Sequence, residues 1–282
     1  MVVSATRRQH QSAPPYRSGS HLIGENLGFS SGTLYHYRWL GRAGRIPRGA
    51  RVLELGSQNA WGDFPHAEVR DFMTVFGASV SDERLRSGVA PGVKVEQLMR
   101  DAGFRYAAFD VYSTGATRTF DLNSDSVGWR DRGRYDVVTN CGTSEHVANQ
   151  FNVFKVAHDA LKAGGVMMNF VPFYGQVDHG LINYHPKFFT TLIANNDYQP
   201  LYFGLSDIFS GGDIDRYRRL GSASNGKNWE GKEVGCAEMC VIWQKRKRAP
   251  FRPPTDSSDI TGEHITVNQV LASMPDFSAF QQ

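Results

Sequence analysis

The 282-residue chain has only three cysteines, Cys141, Cys236 and Cys240. An odd, irregularly spaced set builds no disulfide framework, and Cys236 and Cys240 lack a second pair to close a zinc site. A reducing compartment, the cytoplasm, is therefore expected. No run approaches the ~20 apolar residues of a membrane helix. The opening MVVSATRRQHQSAPPYRSGS is polar and has no apolar centre of a secretion signal, so no membrane partner is expected. Neither sign of charge dominates: 31 basic residues face 28 acidic ones, for a net charge of +3. That balance argues against nucleic acid as a partner, because a broad phosphate footprint needs a basic excess. No internal repeat is visible. What the chain does have is 40% hydrophobic and 21% charged residues, the makeup of a globular protein with a real core.

Residues 1–20 are rich in Ser, Pro, Arg and Gln without helical or strand period, and are expected to be disordered. Residues 21–48 carry Tyr35, His36, Tyr37, Arg38 and Trp39 and read as a helical cap. From there apolar runs ending in turn residues alternate with helically spaced segments. Strands are predicted at Arg51–Leu55, Tyr106–Val111, Thr119–Leu122, Tyr135–Thr139, Val166–Val171, Leu201–Leu205 and Met239–Trp243. Helical spacing joins Val69, Phe72, Met73 and Phe76, then Val95, Leu98 and Met99, then Phe151, Phe154, Ala157, His158 and Leu161, the last stopped at Gly164-Gly165. Pro186 opens a helix through Phe188, Phe189, Leu192 and Ile193, where its missing N–H costs nothing. This alternation predicts an α/β fold, a doubly wound, mainly parallel seven-stranded sheet over 49–248, with a long insertion after strand one at about 59–92. Residues 249–282 are expected to wrap the surface. The insertion holds Trp61, Phe64 and His66 and is either a lid or acceptor wall, or a plain surface helix pair.

In an open α/β sheet ligands bind at the carboxyl ends of the strands. Strand one ends in Glu54-Leu55-Gly56-Ser57-Gln58, strand two in Asp110, strand three in Asp121, and strand four in Asn140-Cys141-Gly142-Thr143-Ser144-Glu145-His146. The run VLELGSQ resembles motif I of class I S-adenosylmethionine-dependent methyltransferases, in which an acid precedes by two a glycine that lets the backbone approach the ligand. Glu54 and Gly56 match, while Ser57 and Gln58 stand where further glycines are usual. Asp110 resembles the family's ribose-diol carboxylate, Asp121 its adenine-contacting acid, and YDVVTNCGTSEHV its fourth strand and following loop. LKAGGVMMNFVP is similar to its approach to strand five. The resemblance spans roughly 50–205. It implies S-adenosylmethionine held by Glu54, Gly56, Ser57, Gln58, Asp110, Asp121 and Asn140. By elimination, loops that are aromatic and polar rather than basic favour a small-molecule or glycan-type acceptor, methylated at a hydroxyl.

Each residue also has a plainer reading. Glu54 can be a strand-end charge bonded to loop backbone, Asp121 and Asn140 can be turn formers, and Glu145 can face a helix dipole. For acid–base work His146 leads, because imidazole titrates near neutrality, with Glu145 beside it and His179 or His185 in reserve. The loop Asp178–His185 gathers the polar and aromatic groups suited to acceptor recognition. Tyr35, Trp39 and Trp61 are expected to help cover the site. Glu145, His146, Asp178 and His179 have the composition of a metal set, but spacing does not show that they converge, and no metal is expected. Cys141 lacks the Pro-Cys context of a nucleophile, and Lys245–Arg248 reads as a solvated edge. A nicotinamide oxidoreductase would need G-x-G-x-x-G where the chain has G-S-Q-N-A-W. An amino-methylating DNA enzyme would need Asp/Asn-Pro-Pro-aromatic where it has Asn140-Cys141-Gly142-Thr143. A non-catalytic binding or scaffolding module of the same fold is the remaining alternative.

Overall fold

A computed structural model describes residues 28–60, 64–88, 93–113, 117–174, 176, 178–207, 237–255 and 267–275. The segment 1–20, Trp61 and Cys236 lie outside them. Helix α1 (Ser31–Arg42) precedes strand β1 (Arg51–Leu55), and α2 (His66–Val75), α3 (Asp82–Gly88) and α4 (Val95–Asp101) lead to β2 (Arg105–Asp110). Then come β3 (Thr117–Thr119), β4 (Tyr135–Cys141), a 3₁₀ turn (Ser144–His146), α5 (Gln150–Ala160), β5 (Leu161–Tyr174), α6 (Pro186–Asn195), β6 (Tyr198–Asp207), β7 (Ala237–Lys245) and α7 (Val267–Ala272). The strands form a seven-stranded sheet in the order β3-β2-β1-β4-β5-β7-β6. β1 to β5 run parallel, and β7 is antiparallel to both β5 and β6. Strand order reverses between β1 and β4, where a doubly wound sheet opens its crevice.

Alternate strand residues feed two cores. Val52, Tyr106, Val137, Val166 and Ile242 pack against α1, α2 and α4 through Leu34, Tyr37, Phe72 and Leu98. Leu53, Leu55, Phe109, Val138 and Trp243 pack on the other face against Phe154, Phe189, Leu192 and Val270. Both faces being covered explains the near-continuous apolar strands. α1 starts at a capping box, Ser30 with Thr33, which satisfies two backbone donors that the first turn leaves open. No helix among the described residues is long and apolar enough to cross a membrane.

Three local expectations need correction. The third strand is Thr117–Thr119, not 119–122. It is a short edge strand whose residues Arg118 and Thr119 are exposed, so it carries little apolar pattern, and Asp121 falls in the turn beyond it. The fifth strand begins at Leu161, before the glycine pair, because Leu161 already pairs with Tyr135 and the register shifts afterwards. Lys245 is not solvated: it is 5% exposed, and its Nζ donates to the carbonyls of His158 (2.6 Å) and Leu161 (3.1 Å) at the end of α5. Burial lowers its pKa to about 8.

Candidate active site

The carboxyl ends of β1, β2, β3 and β4 surround a cavity of about 360 Å³, within the range of small-molecule sites. Gly56, Ser57 and Gln58 line it from the β1 turn, Asp110 and Tyr112 from the end of β2, Phe120, Asp121 and Leu122 from beyond β3, and Thr143, His146 and Val147 from beyond β4.

The β1 turn is tied to its neighbours by short-range bonds. Gly56 has φ +75, and a Cβ there would lie 2.2 Å from Thr143 Oγ1, so both conformation and space demand glycine. Its N–H donates to Phe109 O at 2.8 Å. Gln58 donates from Nε2 to Thr143 Oγ1 (2.9 Å), linking the turns after β1 and β4. Two side chains thus hold a turn that usually relies on more glycine.

Asp110 is fixed at the cavity wall. Its Oδ2 accepts from Ser57 N (2.8 Å) and its Oδ1 from Tyr112 N (3.0 Å), which leaves one lone pair on each oxygen for a ligand. Asp121 also lines the cavity, while its carboxylate accepts from Asn123 N (2.8 Å) and Ser124 Oγ (3.1 Å). The Asn123 backbone bond is the main cause of its lowered pKa. The rings of Phe109 and Phe120 stack at 4.3 Å and 8° on this wall, giving an apolar surface beside two acids.

Five of the sequence-predicted residues, Glu54, Asn140, Glu145, His179 and His185, do not line the cavity. Glu54 is 1% exposed and turns toward α1, accepting from Gln58 N (3.2 Å) and the Tyr106 hydroxyl. Burial raises its pKa to about 7, against the lowering effect of those bonds. Asn140 is buried, donating from Nδ2 to Ser144 Oγ (2.7 Å) and accepting from Ser144 N (3.1 Å). Ser144 Oγ also bonds with the Tyr184 hydroxyl at 2.6 Å, so this network sets the turn carrying Glu145 and His146. His185 caps α6, accepting from Lys187 N at 3.2 Å. Tyr35 and Trp39 are likewise off the lining; Trp39 is buried beside His36 and Tyr202. Among its described residues the 59–92 insertion contributes Val69, Phe72, Met73 and Leu85 to the core, and only Gln58 just before it reaches the cavity.

His179 folds back onto the β4 turn. Its Nε2 lies 3.4 Å from Glu145 Oε1, and its ring meets that of His146 edge-on at 4.9 Å between centroids. Asp178 is exposed and does not join them. Both Cys141 and Cys240 are buried, and burial pushes the Cys141 thiol pKa well above normal, so it is no nucleophile at neutral pH. The lining residues missed from sequence include Gly142, Thr143, Val111, Tyr112, Phe120, Leu122, Asn123 and Val147. Their signal was position: each directly follows, or closely follows, a strand end.

A family model described as a methyltransferase domain matches residues 36–216. No curated protein matches the chain. Among solved structures it is similar to 1,6-didemethyltoxoflavin-N1-methyltransferase of Burkholderia thailandensis, with 12% identity over 77% of this chain and 80% of that one and a TM-score of 0.41. Geranyl diphosphate C-methyltransferase of Streptomyces coelicolor shows 12% identity over 76% of this chain and 80% of that one, with a TM-score of 0.43. The O-methyltransferase of a Brevibacillus brevis trans-AT PKS multienzyme shows 11% identity over 88% of this chain and 80% of that one, with a TM-score of 0.44. Likenesses this distant say nothing about the acceptor.

Proposed function

The chain belongs to the methyltransferase-domain family, and from that premise we propose that it transfers a methyl group from S-adenosylmethionine to a hydroxyl of a small molecule. The observation that carries the reading is the convergence of Gly56, Ser57, Gln58, Asp110 and Asp121, from separate strand ends, on one cavity. A ribose diol can donate to the two free lone pairs of Asp110, and an adenine suits the wall of Asp121, Leu122 and the stacked Phe109–Phe120 pair. The β1 turn then meets the amino-acid end. Glu54 and Asn140 act as positioning residues, Glu54 through Gln58 N–H and Asn140 through Ser144.

When bound, the sulfonium supplies an electrophilic methyl carbon: an acceptor oxygen forms the new C–O bond, the C–S bond breaks, and its electron pair stays on sulfur. The chain's own task is to align the acceptor, exclude water and remove the acceptor's proton. Alignment alone can contribute about 7–11 kcal/mol. His146 is the titratable side chain of the Glu145–His146–His179 cluster that reaches the cavity, and it is the residue proposed to draw off that proton. His185 has its Nδ1 engaged in capping α6 and stays in reserve.

The test is transfer of an isotopically labelled methyl group from S-adenosylmethionine into the small-molecule fraction of a cell extract. His146→Ala should lower turnover by about 10²–10⁴-fold while cofactor affinity stays unchanged. Full turnover of that variant would remove His146 from the mechanism. Cofactor binding without transfer to any extract component would favour a binding module instead.

A further inference from the structure

We infer that Glu145, His146 and His179 form a binding site for a first-row divalent cation at the acceptor end of the cavity. The inference rests on the methyltransferase reading above and deepens it: with the cation bound, His146 is its ligand rather than the direct proton acceptor, and acts on the acceptor through the cation.

Three observations carry it. The ligand atoms of the three side chains all lie within 4.8 Å of one another. Metal–ligand distances of about 2.1 Å put the atoms of a tetrahedral set about 3.4 Å apart, and the Glu145–His179 pair is already at 3.4 Å. The third atom, on His146, lies within 4.8 Å of both, so a rotation of its ring completes the set. Second, Glu145 is fully buried, and its Oε2 has no hydrogen-bond partner among the described residues. A buried carboxylate oxygen without a partner is costly, and with two imidazoles beside it a shared cation would satisfy it. Third, the backbone holds the set in place. The N–H groups of Leu181 and Ile182 both donate to Glu145 O, at 2.8 and 3.1 Å. A Cβ on Gly180 would lie 2.9 Å from Glu145 Cγ, so glycine is what lets this loop close over the carboxylate. Asp178, at φ 64, makes the turn that delivers His179.

Two imidazoles and one carboxylate suit Zn²⁺, Fe²⁺ or Mn²⁺ rather than Ca²⁺ or Mg²⁺, which favour all-oxygen sets. Three protein ligands also leave coordination positions open. His146 lines the cavity, so a cation held by it would border the space an acceptor would occupy. A hydroxyl bound there loses its proton to solvent water more readily. Its oxygen keeps the electron pair that becomes the new O–C bond as the C–S pair returns to sulfur. No oxidant or reductant is required.

The experiment uses the full chain, stripped with chelator and titrated with Co²⁺ by visible absorption and with Zn²⁺ by calorimetry. One equivalent of each should bind. Glu145→Gln and His179→Ala should each weaken binding by at least ~10-fold while near-UV circular dichroism and S-adenosylhomocysteine affinity are retained. Because Glu145 is buried, His179→Ala is the variant that keeps the test decisive if Glu145→Gln fails to fold. Wild-type protein that binds S-adenosylhomocysteine but gives no cobalt spectrum and no stoichiometric heat overturns the inference alone. Cation binding retained in His179→Ala overturns it too. Protein that binds the cation but not S-adenosylhomocysteine keeps the site and removes the cofactor reading.

Discussion

At the scale of the residue, Glu54 shows how a strand-end acid can serve a site without lining it. Leu53 and Leu55 face one core, so the two-residue period turns Glu54 to the other, where it meets Tyr106 and the Gln58 N–H. Neither that orientation nor its burial was legible in the near-continuous apolar run of β1, because both faces of the sheet are covered. Burial raises its pKa from 4.5 to about 7. Between those values the folded protein holds a proton that the unfolded chain has released, so stability falls as pH rises through the window. Buried His36, its pKa lowered to about 3, acts in the opposite direction in the acidic part of this range. The Glu54 effect is therefore read as the difference in melting midpoint between wild type and Glu54→Gln, which should fall from pH 5 to pH 8. A wild-type-minus-variant difference that does not change with pH would show that Glu54 contributes nothing to the profile.

At the scale of the element, the turns matter more than the strands they end. The turn after β1 and the turn after β4 share Thr143, which accepts from Gln58 and leaves no room for a Cβ at Gly56. Gly56→Ala combines an unfavourable φ with a clash. It should cost about 1–3 kcal/mol, which for a domain of this size lowers the melting temperature by several degrees, at about 2–4 °C per kcal/mol. Cofactor affinity should fall with it. A variant with wild-type melting and wild-type affinity would mean that the two turns do not depend on each other. β1 was legible to the residue because its apolar run is bounded by turn residues, and β3 was not, because Thr117–Thr119 offers almost no apolar pattern. The fold-back of His179 onto Glu145 was illegible for a different reason. It depends on the space that Gly180 leaves and on two backbone bonds to Glu145 O, neither of which has a local signature.

At the scale of the whole molecule, the parallel order β3-β2-β1-β4-β5 brings four strand ends to one rim. The alternation of strands and helices predicted this layout, and strand-end position alone selected Asp110 and Asp121, which both reach the cavity. Which side chains turn away from it, Glu54 and Asn140 among them, was set by packing across the sheet. The central claim is that this rim seats an adenosyl group. Calorimetric titration of the folded chain with S-adenosylhomocysteine, beside Asp110→Ala, tests it most directly. The account predicts one-site binding that the substitution weakens by about 10–100-fold, the worth of a hydrogen bond to a charged group. Absence of heat from folded wild-type protein, or equal affinity in Asp110→Ala, would contradict it.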